Sequence, residues 1–196
     1  MNARPVALGL RAQKGGALVV AATEERVVLS TSFATAVEGD DLAREPYRLA
    51  FDMARGPDGR ASDEARAAVA EGRLRQDAAA ADGLQRIVAR LDAEGYRADI
   101  AALLVNRAGW ITDLLEYSLG WADHVPVAEG LAVREALRFA VTRTGLTLLE
   151  LDEKSLVETL ATDARLPAQA AYAGKPWRKE QKLACLAAWA ALAGRT

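Results

Sequence analysis

Apolar residues gather in short unbroken runs near the start of the chain and fall into helical spacing further along. Residues 5–11, 17–22 and 26–31 are runs of strand length, rich in Val, Leu and Ala. Gln13-Lys14-Gly15-Gly16 separates the first two, and Thr23-Glu24-Glu25 separates the second and third. Both intervals suit antiparallel hairpins, so the three runs predict a meander. The first strand is expected to be central, being the most uniformly apolar. Its second neighbour is then residues 100–105, the only other run apolar enough for burial on both faces. Residues 146–151 make a fifth strand, and the long helix expected at 127–144 turns the fourth and fifth strands into a crossover pair, hence parallel.

Between these strands the pattern is helical. A helix starts near Asp40 or Asp41, either of which is a good N-cap, and residues 55–60, with two glycines and Pro57, break it as a mobile excursion. Ser62-Asp63-Glu64 opens a second helix running to about residue 94, where Gly95 stops it. Its apolar residues are sparse before Gly83, which predicts a solvated arm followed by a packed last third. A short helix is expected over 110–119, a loop over 120–126, and on the 127–144 helix a buried stripe of Leu131, Ala132, Ala136, Phe139 and Ala140. Asp152 caps a helix at 153–161, residues 163–174 around Pro167 are irregular, and Leu183, Leu186, Trp189 and Leu192 mark a terminal apolar helix. The chain reads as one domain over 1–196 with a helical insertion at about 42–94.

Composition narrows the chemistry. The 196 residues are 51% hydrophobic, enough for one well-cored domain, and a net charge of -2 argues against binding nucleic acid by bulk charge while leaving room for a local basic patch. One cysteine and one histidine exclude an internal disulfide and a thiolate or imidazole metal cage. No leader pattern, membrane-length apolar stretch, GxxxxGK[ST] or GxGxxG motif occurs, so a soluble, cytoplasmic protein without a cofactor is expected. The abundance of Ala and Arg over Lys reads as the imprint of a GC-rich, bacterial-type genome and carries no functional weight.

The order of elements (three meander strands, then helix, strand, helix, strand and terminal helices) resembles the ribonuclease H-like fold. Local motifs are most similar to RuvC-type Holliday junction resolvases. Leu8-Gly9-Leu10 resembles the first-strand signature of that branch, which continues into an aspartate. Glu129 to Ala136 and Thr144 to Leu151 resemble its central helix and fifth strand, Lys154 to Thr159 the short helix that follows, and Lys179-Glu180-Gln181-Lys182 the start of the last helix. The resemblance implies an α/β fold with a five-stranded mixed sheet, a three-strand antiparallel meander plus two parallel strands, flanked by helices. It also implies two magnesium or manganese ions held by carboxylates from the first strand, the end of the fourth and the last helix, since hard cations need oxygen ligands. This chain has Arg11 after Leu8-Gly9-Leu10, Asn106 at the end of the fourth strand, and Lys182 and Cys185 in the last helix. The implied protein is a nuclease-like scaffold without its metal site, with no catalytic or metal residues assigned.

Arg11, Lys14, Asn106, Arg107, Arg178, Lys179 and Lys182 would then form a basic pocket for DNA or RNA at one sheet edge. The plainer and preferred reading makes them solvated charges neutralised by Glu24, Glu25 and Glu180. A half-buried Arg11 needs an acid partner, for which Glu24, Glu129 and Glu135 are the candidates, or a phosphate. Glu129 and Glu135, with Asp113, Glu116 and Asp123 nearby, are the remaining acids for an unorthodox metal site, although six residues apart on a helix they lie on different faces. His124 is read as a loop histidine, Cys185 as a buried small hydrophobe, and Trp110, Trp121 and Trp177 as caps on the core rather than rings for stacking bases. Three functions follow: a catalytically degenerate scaffold that binds nucleic acid or serves as a structural subunit, an active nuclease with relocated acids, or a protein-interaction or oligomerisation domain. A protein partner or homo-oligomer is compatible with the first and third, and a membrane partner with none.

Overall fold

A computed structural model of the chain describes residues 3–53, 55–106 and 110–194. Five strands, β1 (Arg4–Gln13), β2 (Gly16–Ala22), β3 (Val27–Ala34), β4 (Tyr96–Val105) and β5 (Thr147–Asp152), form one mixed sheet in the order β3-β2-β1-β4-β5. β1 is central, antiparallel to β2 and parallel to β4; β3 is antiparallel to β2, and β5 parallel to β4. The α/β class, the meander and the parallel pair are as the sequence predicts. A two-residue turn, Lys14-Gly15, closes the first hairpin, and Thr23 closes the second by donating its N–H to the Arg26 carbonyl at 2.9 Å.

Alternation along the strands supplies two apolar faces. Val6, Leu8 and Leu10 of β1, with Val19, Ala21, Ala101 and Leu103, face α3 (Asp63–Ala93) and α5 (Val125–Arg143). Ala7, Leu18, Val20, Ala102 and Leu104 face α8 (Lys179–Ala193). α8 comes so close that a Cβ on Gly9 would lie 1.7 Å from the Ala184 carbonyl oxygen. Thus Leu8-Gly9-Leu10 has a packing role of its own: the glycine is the gap through which the helix backbone meets the central strand.

A third cluster joins α2 (Pro46–Asp52), the start of α3, α4 (Leu114–Gly120) and the start of α5 through Tyr47, Val69, Leu115 and Val125. Several expectations are corrected here. The first helix is two: α1 (Asp41–Arg44), with Asp40 accepting from the Ala43 N–H at 3.0 Å, and α2, which Pro46 starts afresh because proline cannot continue a helix but fits its first turn. Residues 55–61 close through an Arg55–Ala61 bridge and a 2.9 Å bond from the Gly56 N–H to the Arg60 carbonyl, a tight turn rather than a loose excursion. The first half of α3 is no solvated arm. Ala65, Val69, Gly72, Gln76 and Ala80 continue the buried stripe of Leu84, Ile87 and Leu91, while Leu74 faces outward at 66% exposure.

On α5 the buried stripe is Ala128, Ala132, Val133, Ala136, Leu137, Ala140 and Val141, and Phe139 lies outside it, 41% exposed. That helix begins at Val125 with Pro126 in its first turn, directly after a 3-10 turn at Ala122–His124. α4 starts only at Leu114, where Asp113 accepts from the Leu115 and Glu116 N–H groups. Beyond β5, Asp152 caps a 3-10 turn, Glu153–Leu156, which leads into α6 (Val157–Thr162). The stretch around Pro167 is a helix, α7 (Leu166–Ala173). Among the described residues no helix is long and apolar enough to cross a membrane.

Candidate functional site

Parallel pairing of β1, β4 and β5 brings their carboxyl ends to one edge, where loops gather in sheets of this kind. Arg11, Leu104 and Leu151 lie in one row across the three strands. Two residues past Leu151, the turn capped by Asp152 places Glu153 at this edge. Glu153 holds the Arg11 guanidinium with both oxygens, accepting from Nε at 3.1 Å and from Nη2 at 3.0 Å. With the two side chains 27% and 18% exposed, this bidentate pair is a structural one. The partner is therefore neither Glu24, which sits in the β2–β3 turn at the opposite edge, nor Glu129 or Glu135, which are engaged elsewhere. Glu153 was unreadable as the partner because strand register, not sequence distance, brings it to Arg11.

Glu129 and Glu135 do not meet either. Glu129 Oε1 accepts from the Tyr47 and Arg48 N–H groups at 2.8 and 2.9 Å, capping α2 from the side of α5, and Glu135 pairs with Arg73 at 2.6 Å. Burial pushes the Glu129 carboxyl up to about 7, against the lowering pull of those two N–H groups. Glu116 is likewise taken, by Arg66 at 2.6 Å. Among the described residues no three His, Cys, Asp or Glu side chains gather as a metal site.

Beside the Arg11 end of β1 lies a cavity of about 420 Å³, walled by the β1–β2 turn, the α1–α2 junction and the first half of α5. It is lined by Arg11, Lys14, Arg44 and Arg134 against Glu45 and Glu129. Lys14 pairs with Glu45 at 2.8 Å, not with the predicted Glu24 or Glu25, and Arg44 pairs with Asp41. Arg134 makes no ion pair among the described residues, and its buried Nε has no hydrogen-bond partner. Burial lowers its pKa and the attraction of Glu153 opposes that, while Arg138 and Arg11 add to the lowering.

The other expected site residues that the structure describes occupy the same edge without sharing this cavity. α8 runs antiparallel to β1, since its first residues lie with Gln13 around a second cavity and Trp189 near its end donates to the Thr23 carbonyl at 3.0 Å. Arg178 lines that second cavity, Lys179 is exposed, Lys182 is half-buried, and Asn106 is exposed at the end of β4. Only Gln13 lines both cavities. Arg107 lies outside the described residues.

Of the three tryptophans expected to cap the core, two do not. Trp110 is 71% and Trp121 66% exposed. Trp110 meets Tyr117 edge-on at 5.3 Å, and Tyr117 stacks on His124 at 4.0 Å, whose Nδ1 is 2.9 Å from the Tyr117 carbonyl. These rings sit between β4 and α5, and His124 directly precedes the cavity-lining Val125 and Pro126. Trp177 is half-buried and donates to the Leu166 carbonyl at 3.0 Å. Cys185 is fully buried and its thiol is pushed up to about 12, as expected of an inert core residue.

No protein-family model matches the chain, and no curated protein matches it significantly.

Proposed function

We propose that the chain is a non-cleaving scaffold of ribonuclease H-like build that binds nucleic acid along the carboxyl edge of its sheet. The observation that carries the reading is the Arg11–Glu153 pair, which puts a neutralised guanidinium where the resemblance calls for a metal-binding acid. The β3-β2-β1-β4-β5 order supports the fold part, and Lys14, Arg44 and Arg134 supply cations at that edge. The exposed rings of Trp110 and Trp121, on the segment between β4 and α5, offer stacking platforms.

The test is retention of the pure chain on heparin and DNA across a salt series, together with a cleavage assay on branched DNA and RNA–DNA hybrid in magnesium or manganese. Retention that weakens steeply with salt, and no cleavage, are expected. Metal-dependent cleavage lost on Glu129→Ala would replace this reading with the active nuclease. Arg11→Met should lower the melting temperature and leave DNA retention nearly unchanged, because Glu153 already occupies the guanidinium. Trp110 and Trp121 also favour a second reading, a protein-interaction surface. Concentration-dependent self-association without DNA retention, abolished by Trp110→Ala with Trp121→Ala, would select it.

A further inference from the structure

Arg134 is a half-buried cation that makes no ion pair among the described residues, standing in the wall of the cavity beside the Arg11 end of β1. We propose that this cavity is a binding site for a phosphate monoester whose phosphate is held by Arg134 and Lys14. A guanidinium withdrawn from water is costly unless an anion compensates it, and Glu153, the acid whose attraction reaches Arg134, is committed to Arg11. The missing partner is an anion from outside the chain.

The remaining groups fit the same ligand. Lys14 is 83% exposed and its pair with Glu45 is a weak surface pair, so the ammonium can turn to a ligand at little cost. Arg44 is held by Asp41 in the same exposed way. Glu129 opposes an anion weakly, since burial keeps its carboxyl partly protonated near neutral pH. About 420 Å³ is more than a bare phosphate fills, and Ala12, Val125, Pro126 and Gly130 line the space an ester group would occupy. The phosphate has two possible sources, a free mononucleotide or the 5′-terminal phosphate of a strand. The inference stands on the cavity; only the second source rests on the nucleic-acid reading above.

Calorimetric titration of the full chain with inorganic phosphate, a nucleoside 5′-monophosphate, and one oligonucleotide with and without its 5′-phosphate tests this at fixed ionic strength. The monophosphate is expected to saturate one site and bind more tightly than inorganic phosphate. Arg134→Gln should weaken it about tenfold or more and Lys14→Ala about threefold. Arg134→Gln removes a half-buried charge that has no ion pair among the described residues and should melt at or above the wild-type temperature; if it fails to fold, the exposed Lys14→Ala carries the comparison. A preference for the phosphorylated strand assigns the strand end as the source, and equal binding of the two strands beside saturable monophosphate binding assigns the free ester. Absence of saturable binding by phosphate and monophosphate, or binding indifferent to both substitutions, overturns the site. Oligonucleotide retention surviving such a result would leave the nucleic-acid reading standing, and monophosphate binding without retention would do the reverse.

Discussion

The two faces of the sheet differ in their buried polar groups. On one, α8 buries Leu183 to Ala188 without a break, and among the described residues Gln169 and Trp189, drawn in with it, have hydrogen-bond partners. Gln169 accepts from the Val27 N–H at 2.9 Å and donates to the Glu25 carbonyl, and Trp189 donates to Thr23. On the other, α3 and α5 leave Arg73 Nε, both amide atoms of Gln76, Asp77 Oδ1, Glu129 Oε2 and Arg134 Nε buried without hydrogen-bond partners. Buried polar groups are normally satisfied, and an unsatisfied one costs about 1–3 kcal/mol. The difference teaches that both faces are closed by apolar packing, while among the described residues the α5 side alone keeps unsatisfied polar atoms, two of them, on Glu129 and Arg134, in residues that line the cavity.

Breaking the first side should have the largest effect. Gly9→Val drives a side chain into the Ala184 carbonyl, a backbone atom that cannot turn aside, and should cost about 3 kcal/mol or more. Loss of cooperative melting or of soluble protein is expected; a normal melt would show that α8 can slide on the sheet.

On the second side, Glu129→Gln sharpens the contrast through pH. The folded carboxyl is raised from 4.5 to about 7, so its contribution is fully present below pH 4.5 and is lost as pH rises towards 7. Glutamine keeps the acceptor for the Tyr47 and Arg48 N–H groups and does not titrate. The variant should therefore gain about 2–3 kcal/mol on the wild type between pH 4.5 and 8, read from denaturant midpoints at each pH. A constant difference across that range would mean that the carboxyl is solvated.

The smallest effect is expected where neither face is touched. Trp110→Ala should change stability by no more than about 0.5 kcal/mol, since the indole is mostly in water. A larger loss in thermal melts would make Trp110 part of the core after all.

The sheet was legible because its strands are long apolar runs punctuated by Gly15 and the Thr23 turn. The first half of α3 was not, because Ala65, Gly72 and Ala80 carry its buried stripe and small residues raise no hydrophobic signal. At Gly72 the close approach is the reason for the residue: a Cβ there would lie 2.3 Å from the Leu42 carbonyl oxygen. Three prolines mark helix starts, of which Pro126 was read as part of a loop and Pro167 as part of an irregular stretch. Pro46, Pro126 and Pro167 each stand in the first turn of a helix, where the missing N–H has no partner to lose, so they start elements rather than end them. At the site, the focal position of Arg11 could be read from its place on the central strand. Its partner, and the isolation of Arg134, depend on register and burial, which no local pattern encodes.

The contact between Gly9 and Ala184 also dictates an order of assembly. Strand and helix are separated by most of the chain, so the loop that joins them is expensive to close and rewards closure late. Until α8 arrives, Leu18, Val20, Ala102 and Leu104 form an open apolar surface on paired strands, the kind of surface that invites contact with other chains. The meander and the crossover can form from nearer neighbours, which leaves α8 docking as the step that seals the protein. Refolding followed by Trp189 fluorescence should accordingly lag behind the recovery of backbone circular dichroism, with the interval lengthening in any variant that loosens the fit at Gly9.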